Sequence, residues 1–179
     1  MGERDFLFMR HGETAYNRLH VRCGGDVDIP LTEQGEQQAW EAAQSLSALP
    51  DRIDAIVASP LLRTRRTAEI LRSVLGDVPI RFHDGLIERR LGQWNGMAIA
   101  ETQPLIDAGA TPPGGEGEAE FRDRVGRALD EIAGHGHRLP VLVGSKGVGR
   151  VLGILLGDLR PPMANAGVVR FHFPARQEN

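Results

Sequence analysis

The sequence has only one cysteine and lacks a secretory hydrophobic segment, and both features bear on the cellular compartment of the protein. One cysteine, Cys23, cannot form a disulfide within the chain, whereas disulfides are typical of small secreted domains. Residues 6–9 form the first strand-like run, and no signal-peptide core precedes them. N-myristoylation after Met1 and Gly2 would need Ser or Thr at position six, where Phe6 stands. We therefore expect a cytoplasmic protein without a lipid anchor.

The sequence also lacks an excess of basic charge. Its net charge of -3 and isoelectric point near 6.1 give no overall reason to expect binding to nucleic acid or to an anionic membrane. Hydrophobic residues make up 41% and charged residues 25%, close to the average for soluble globular proteins. A chain of 179 residues suits one domain with a full core, so we expect a single domain over 1–179. Any anion site must therefore be local.

Short apolar runs alternate with longer segments of helical period. This pattern predicts an α/β fold, a three-layer sandwich in which a mainly parallel central sheet carries helices on both faces. Strands are predicted at residues 5–10, 54–58, 80–82, 140–143 and 168–173.

Capping residues and apolar spacing place the helices between these strands. Thr32 is a plausible N-cap for a helix that stops before Pro50, and Ser59 for a second helix that ends near Gly76. Apolar residues at helical spacing predict a third helix ending at Gly134, and a fourth follows residues 144–147.

The stretch 84–117 lies between the third strand and the third long helix. It is rich in glycine and proline, so we expect a lid-like loop with at most short helical pieces.

Cationic and nucleophilic side chains follow three of the predicted strands. Arg10 and His11 follow the first, Arg63 the second and Lys146 the fourth. Ligand sites in such sheets lie outside the carboxyl ends of the strands. Each position also lies near a helix start or a glycine-rich turn, where free backbone N–H groups favour an anion. The sequence therefore predicts a site for a phosphate or a similar oxyanion.

Five motifs follow one another in the order in which a known family has them, and they carry a resemblance to that family. They are residues 10–14 (RHGET) with Asn17, 28–32 (DIPLT), 59–64 (SPLLRT) with Thr67 and Ala68, 86–88 (LIE) with Gly92, Trp94 and Gly96, and 113–116 (PGGE). Over roughly residues 5–157 the chain resembles the histidine phosphatase superfamily, which includes the cofactor-dependent phosphoglycerate mutases and many small phosphatases.

The resemblance implies roles for four of these residues. His11 would be the nucleophile that takes the phosphoryl group, Arg10 and Arg63 would hold its oxygens, and Glu88 would protonate the leaving oxygen and later activate water. The side chains suit these roles, because a neutral imidazole is a competent nucleophile near pH 7 and guanidinium matches phosphate geometry.

Other roles stay open at this point. Glu13 or Glu116 could replace Glu88 as the acid if the lid packs differently. Asn17 could contact the substrate or serve as a turn-forming side chain.

The sequence departs from the family at Lys146, where the family carries a second histidine between serine and glycine. Lysine keeps a positive charge and three donors, but it is a flexible point charge rather than a flat ring. His135 and His137 precede the fourth strand, so they are expected at the opposite end of the sheet. Either Lys146 serves as a working phosphate clamp, or the site has drifted toward binding without efficient catalysis.

The leading hypothesis is a metal-independent phosphatase that hydrolyses small phosphomonoesters through a phosphohistidine at His11, with turnover reduced by Lys146. It would need no cofactor or metal, and its partner would be a small phosphorylated substrate or phosphate rather than nucleic acid or a membrane. The alternative is a catalytically weak or inactive protein that binds phosphorylated ligands. A phosphoglycerate mutase is less favoured, because the resemblance associates that activity with longer chains and larger lids. The natural substrate and the oligomeric state are left open.

Overall fold

The computed structural model describes residues 4–174 and places five strands in one sheet between helices. In chain order the elements are β1 (Asp5–Arg10), α1 (Ala15–Arg18), α2 (Glu33–Ser47), β2 (Ala55–Ala58), α3 (Leu62–Leu75), β3 (Ile80–Phe82), α4 (Ile99–Asp107), α5 (Glu118–Gly134), β4 (Pro140–Gly144), α6 (Lys146–Leu156) and β5 (Val168–His172). Short 3₁₀ turns at Asp84–Leu86 and Gly92–Trp94 lie between β3 and α4.

The strand order in the sheet is β3-β2-β4-β1-β5. The pairs β1–β4, β2–β4 and β2–β3 are parallel, and β5 runs antiparallel to β1 along one edge. In the β1–β4 register Arg10 lies opposite Gly144, and the backbone N–H of His11 donates to the carbonyl of Gly144 at 3.0 Å. The carboxyl ends of β1 and β4 are therefore joined where the candidate residues begin.

Side chains of β1 alternate between two cores. Phe6 and Phe8 pack with apolar residues of α5 and α6, whereas Leu7 and Met9 pack with those of α2 and α3. A strand covered on both faces is typical of a parallel sheet between helix layers. The predicted three-layer α/β fold is confirmed, and no helix within residues 4–174 is long and apolar enough to cross a membrane.

The predicted cap of α2 is confirmed, whereas that of α3 is wrong. Thr32 accepts a hydrogen bond from the backbone N–H of Gly35 at 3.0 Å and caps α2. The Ser59 hydroxyl instead pairs with the hydroxyl of Thr64 at 2.6 Å, and α3 begins later, at Leu62. The N–H of Leu62 donates to the Asp28 carboxylate at 2.7 Å, so the acceptor comes from a distant loop that the local sequence does not reveal.

The stretch 84–117 is more ordered than the prediction of a loop with short helical pieces. It includes the nine-residue helix α4, with Pro104 in its interior. Proline lacks the N–H that would bond one turn back, which argues against a helix from sequence alone. Side-chain hydrogen bonds from Arg22 to Thr102 and Gln103 join α4 to the loop that follows α1.

Candidate active site

A cavity of about 530 Å³ opens at the carboxyl ends of the strands, under α4. Five of the six predicted site residues line it, namely Arg10, His11, Asn17, Glu88 and Lys146. The sixth, Arg63, is not among the lining residues.

His11 lies at the end of β1 with only 4% of its surface exposed. Its Nδ1 is 2.7 Å from the carbonyl oxygen of Gly12. Because a carbonyl oxygen can only accept, Nδ1 carries the proton and the lone pair of Nε2 is left for another partner. Burial lowers the pKa of His11 to about 3, assisted by the positive charges of Arg63 and Arg10 and opposed by the bond to Gly12. The imidazole is therefore neutral near pH 7 and able to act as a nucleophile.

Gly12 allows the loop after His11 to pass close to the first turn of α2. A Cβ at Gly12 would overlap the carbonyl oxygen of Gly35, and this oxygen belongs to the backbone, which cannot shift at low energetic cost. The close approach explains why glycine follows His11, since any side chain would shift the loop that carries the imidazole.

Arg63 is 1% exposed and lies near the start of α3. Its guanidinium donates to the carbonyl oxygens of Val27 at 2.8 Å and Gly24 at 3.1 Å. Its charge is one of the causes that lower the pKa of His11. Arg63 therefore fixes the loop after α1 and places a positive charge near the imidazole, and its direct contact with phosphate stays a prediction.

Arg10 places its guanidinium at the cavity. One terminal nitrogen donates to the carbonyl oxygen of Met163 at 2.6 Å. Its Nε is buried and has no hydrogen-bond partner among residues 4–174. Burial lowers the pKa of Arg10, an effect that the Glu88 carboxylate opposes. A fixed guanidinium with an unused donor is suited to bind an anion.

Lys146 is the sole lysine of the sequence and the first residue of α6. Its side chain lines the cavity with part of its surface exposed. Burial lowers the pKa of its ammonium group, as do the charges of Arg10 and Arg22, whereas Glu88 raises it. Several cations therefore share this cavity, an arrangement that an anionic ligand would stabilise.

Glu88 is held by two backbone N–H groups. One carboxylate oxygen accepts from the N–H of Arg89 at 2.8 Å and the other from the N–H of Gly147 at 2.9 Å. The second bond places the carboxylate at the N-terminus of α6, where negative charge is favoured. Glu88 is thus fixed within the same cavity as His11.

The two alternative acids occupy other places and do not line the cavity. Glu13 pairs with Arg18 at 2.8 Å and accepts from the Thr32 hydroxyl. Glu116 is buried against Arg124 at 2.7 Å. Their positions favour Glu88 among the three carboxylates.

Asn17 shows the turn-forming arrangement that was left open. Its Oδ1 accepts from the backbone N–H of Thr14 at 3.0 Å, from the Thr14 hydroxyl and from the Nδ2 of Asn165. The first of these bonds forms a capping box at the start of α1 together with the Asn17 N–H, which donates to the Thr14 hydroxyl at 3.3 Å. Asn17 also lines the cavity, so contact with a ligand stays a prediction.

Arg22 is a cavity residue that sequence reasoning missed. Its Nε donates to the Thr102 hydroxyl at 2.7 Å, and a terminal nitrogen donates to the Gln103 side chain at 2.9 Å. Burial lowers the pKa of Arg22, opposed by Glu88 and Asp107. The residue lies in a loop without periodicity and its partners are on α4, so no local signal identified it.

A buried ion pair supports the segment that carries Glu88. Arg124 on α5 donates to both carboxylate oxygens of Glu116, at 2.9 and 2.7 Å. The same guanidinium donates to the carbonyl oxygens of Gly85 at 3.1 Å and Ile87 at 2.7 Å. Glu116 also accepts from the backbone N–H of Arg90 at 3.2 Å. Both sides of the Glu88 backbone are therefore tied to one pair.

Within residues 4–174, no group of three or more His, Cys, Asp or Glu side chains is arranged to hold a metal ion. The cationic groups at the cavity instead suit an anionic ligand.

Comparisons with known proteins place this geometry in a family. The model of the histidine phosphatase superfamily (branch 1) matches residues 6–177. A probable phosphoglycerate mutase, GpmB, from Erwinia tasmaniensis is 34% identical over 167 residues, with 88% of this chain and 75% of that protein covered. An uncharacterized phosphatase, PhoE, from Bacillus subtilis is 43% identical over 93 residues, which cover 52% of this chain but only 46% of that protein.

A solved structure has the same architecture. A mycobacterial glucosyl-3-phosphoglycerate phosphatase in complex with VO3 superposes with a TM-score of 0.79 at 29% identity, with 93% of this chain and 90% of that chain covered. The match over nearly the whole length agrees with the order of the five motifs in the sequence. The chain therefore belongs to the histidine phosphatase superfamily.

Proposed function

We propose that this protein is a metal-independent phosphatase that hydrolyses small phosphomonoesters through a phosphohistidine intermediate at His11. The observation that carries the proposal is the buried imidazole, neutral near pH 7, whose Nδ1 is engaged by Gly12 while Nε2 is left for reaction. The nearby charges of Arg63 and Arg10 suit the negative charge of a phosphoryl group.

In the first step Nε2 of His11 attacks phosphorus, and the bond between phosphorus and the ester oxygen breaks. Glu88 gives a proton to the leaving oxygen, and the alcohol departs. In the second step the Glu88 carboxylate takes a proton from water, whose oxygen attacks phosphorus while the phosphorus–nitrogen bond breaks. Inorganic phosphate leaves and the neutral imidazole is restored. Such acid–base help contributes about 10²–10⁴-fold to rate.

The positive side chains have a separate part in both steps. Arg10 and Lys146 line the cavity, and Arg63 bonds the loop after α1 and lowers the pKa of His11 through its charge. Phosphoryl transfer depends mainly on positioning and on stabilising charge at the equatorial oxygens. Lys146 supplies that charge as a mobile ammonium, so we expect lower turnover than a fixed imidazole would give.

The cavity volume supports a small substrate. About 530 Å³ lies within the usual range for sites that bind small molecules. Apolar side chains also line the cavity, among them Val21, Ile99, Ile106 and Met163. These side chains suit an alcohol with a partly apolar surface.

The test is a panel of phosphomonoesters assayed with the wild-type protein and with His11→Ala. We expect phosphate release by the wild type alone, and a phosphorylated peptide containing residue 11 after rapid quenching. Turnover no greater than that of His11→Ala, with inorganic phosphate still bound, would overturn the proposal and favour a protein that binds phosphorylated ligands.

The contribution of Lys146 is tested by Lys146→His. If lysine is the weaker group for transition-state charge, this change raises turnover. A large fall would instead mean that the ammonium group has its own optimised contact with the substrate.

A further inference from the structure

Ser145 lies between β4 and α6, beside the proposed nucleophile. It is 2% exposed and lines the cavity. The preceding residue, Gly144, accepts the backbone hydrogen bond of His11. The Ser145 side chain is therefore buried within the same small region as the imidazole.

The Ser145 hydroxyl does not cap the helix that it precedes. A serine at the N-cap normally accepts from a backbone N–H in the first turn. Here the Glu88 carboxylate takes the N–H of Gly147, and Ser145 makes no side-chain cap bond. The usual structural reason for a serine at this position is therefore absent, and the hydroxyl is left for another partner.

Only three buried side-chain polar atoms within residues 4–174 have no hydrogen-bond partner. They are the Nε of Arg10, the Nε2 of His137 and the Oγ of Ser145. Arg10 and Ser145 line the same cavity, whereas His137 lies before β4 at the other end of the sheet. Because buried polar atoms nearly always have partners, two free donors in one cavity point to a ligand that accepts hydrogen bonds.

The surroundings define the chemistry of that ligand. Ser145 stands at the N-terminus of the 11-residue helix α6, where the helix dipole favours negative charge. Lys146 follows it directly, and Arg10 lies within the same cavity. An anion with several oxygens would accept from the hydroxyl and the guanidinium together.

We propose that Ser145 is a catalytic residue, whose hydroxyl donates a hydrogen bond to an oxygen of the phosphoryl group transferred to His11. This inference rests on the proposed phosphatase function. The hydroxyl keeps its proton throughout, and no bond to Ser145 forms or breaks. The hydrogen bond holds and stabilises an equatorial oxygen in the transition state, where catalysis depends on positioning and charge stabilisation, so its main effect is on turnover.

The experiment compares Ser145→Ala with the matched control Ser59→Ala. Ser59 is also a buried serine at a strand end, but its hydroxyl is paired with Thr64 at 2.6 Å, and it does not line the cavity. We expect Ser145→Ala to lower kcat about 10- to 100-fold, the range for one hydrogen bond to a charged group. Its affinity for orthovanadate should fall as well, with an unchanged or slightly higher Tm. Ser59→Ala should lower Tm and leave kcat unchanged.

A second variant guards against a local structural effect. Ser145→Gly also removes the hydroxyl, and glycine is well tolerated at N-caps, so its kinetic loss should match that of Ser145→Ala. Wild-type kcat and vanadate affinity in both variants would overturn the inference. A loss of Tm in both variants that accompanies the kinetic loss would also overturn it, because the hydroxyl would then be structural.

Failure of the proposed function gives a different pattern. If the wild type hydrolyses no phosphomonoester but binds orthovanadate, weaker binding by both Ser145 variants still supports the hydrogen bond to the anion and removes its catalytic role. If the wild type neither hydrolyses phosphomonoesters nor binds orthovanadate, both proposals are overturned.

Discussion

The pair of Arg124 and Glu116 gives a prediction whose size follows from burial and hydrogen bonding. The perturbation is Arg124→Met, which keeps much of the aliphatic volume of the side chain and removes its charge. The Glu116 side chain is 1% exposed and that of Arg124 is 23% exposed. After the change, the Glu116 carboxylate would keep the backbone N–H of Arg90, at 3.2 Å, as a hydrogen-bond donor.

Removing one partner of a buried pair costs about 3–5 kcal/mol, because the other charge stays buried without compensation. Partial exposure of Arg124 places the expected loss near the lower end, about 3 kcal/mol. For a domain of this size each kcal/mol shifts Tm by about 2–4 °C, so we expect a fall of about 6–12 °C. The change should also lower kcat. Arg124 donates to the carbonyl oxygens of Gly85 and Ile87, so its removal should disturb the segment that carries Glu88.

Thermal and urea unfolding measure the stability, and the phosphatase assay measures kcat. Arg127→Met is the matched control, since Arg127 is an exposed arginine of the same helix, and such surface changes usually alter stability by less than about 0.5 kcal/mol. A double-mutant cycle with Glu116→Gln should give a coupling energy of about 1–3 kcal/mol. A fall in Tm equal to that of Arg127→Met, or a coupling energy near zero, would refute the reasoning.

Three further predictions concern pH and the fit around Glu88. Because the pKa of His11 is about 3 in the folded state, well below the unfolded value near 6.5, the unfolded state binds more protons between these values. Stability should therefore fall as pH falls from 6.5 toward 3, with a shallower slope in His11→Gln, and equal slopes in urea titrations would contradict a buried neutral imidazole. The pKa of Lys146 is lowered by burial and by nearby cations, so it loses its charge at a lower pH than an ordinary lysine. Phosphate affinity measured by calorimetry should decline on the alkaline side in the wild type and persist to higher pH in Lys146→Arg, and coincident profiles would show that the ammonium does not bind the anion. A Cβ at Gly147 would overlap the Glu88 carboxylate, so Gly147→Ala should lower kcat about 10-fold or more. The control Gly126→Ala would make only ordinary contacts in α5 and should raise Tm slightly. Unchanged kcat in Gly147→Ala would show that the position of Glu88 is not critical.

Local signals in the sequence determined most of the architecture. Apolar runs placed all five strands to within about two residues, and in β1, β2 and β4 such runs follow from burial on both sheet faces. Thr32 was recognised as the cap of α2 because its hydroxyl acts within one turn. The five motifs pointed to the family because each is made of residues that lie close together along the chain.

Tertiary structure decided the features that depend on distant partners. Asp28 caps the start of α3 from a distant loop. The helix α4 forms despite Pro104, and Arg22 donates hydrogen bonds to two side chains of that helix. The neutral state of His11 arises from burial and from charges on other elements. The free hydroxyl of Ser145 follows from a carboxylate that reaches α6 from another part of the chain. A sequence pattern records local periodicity and capping, whereas burial, charge and unused donors are properties of a site assembled from separated segments.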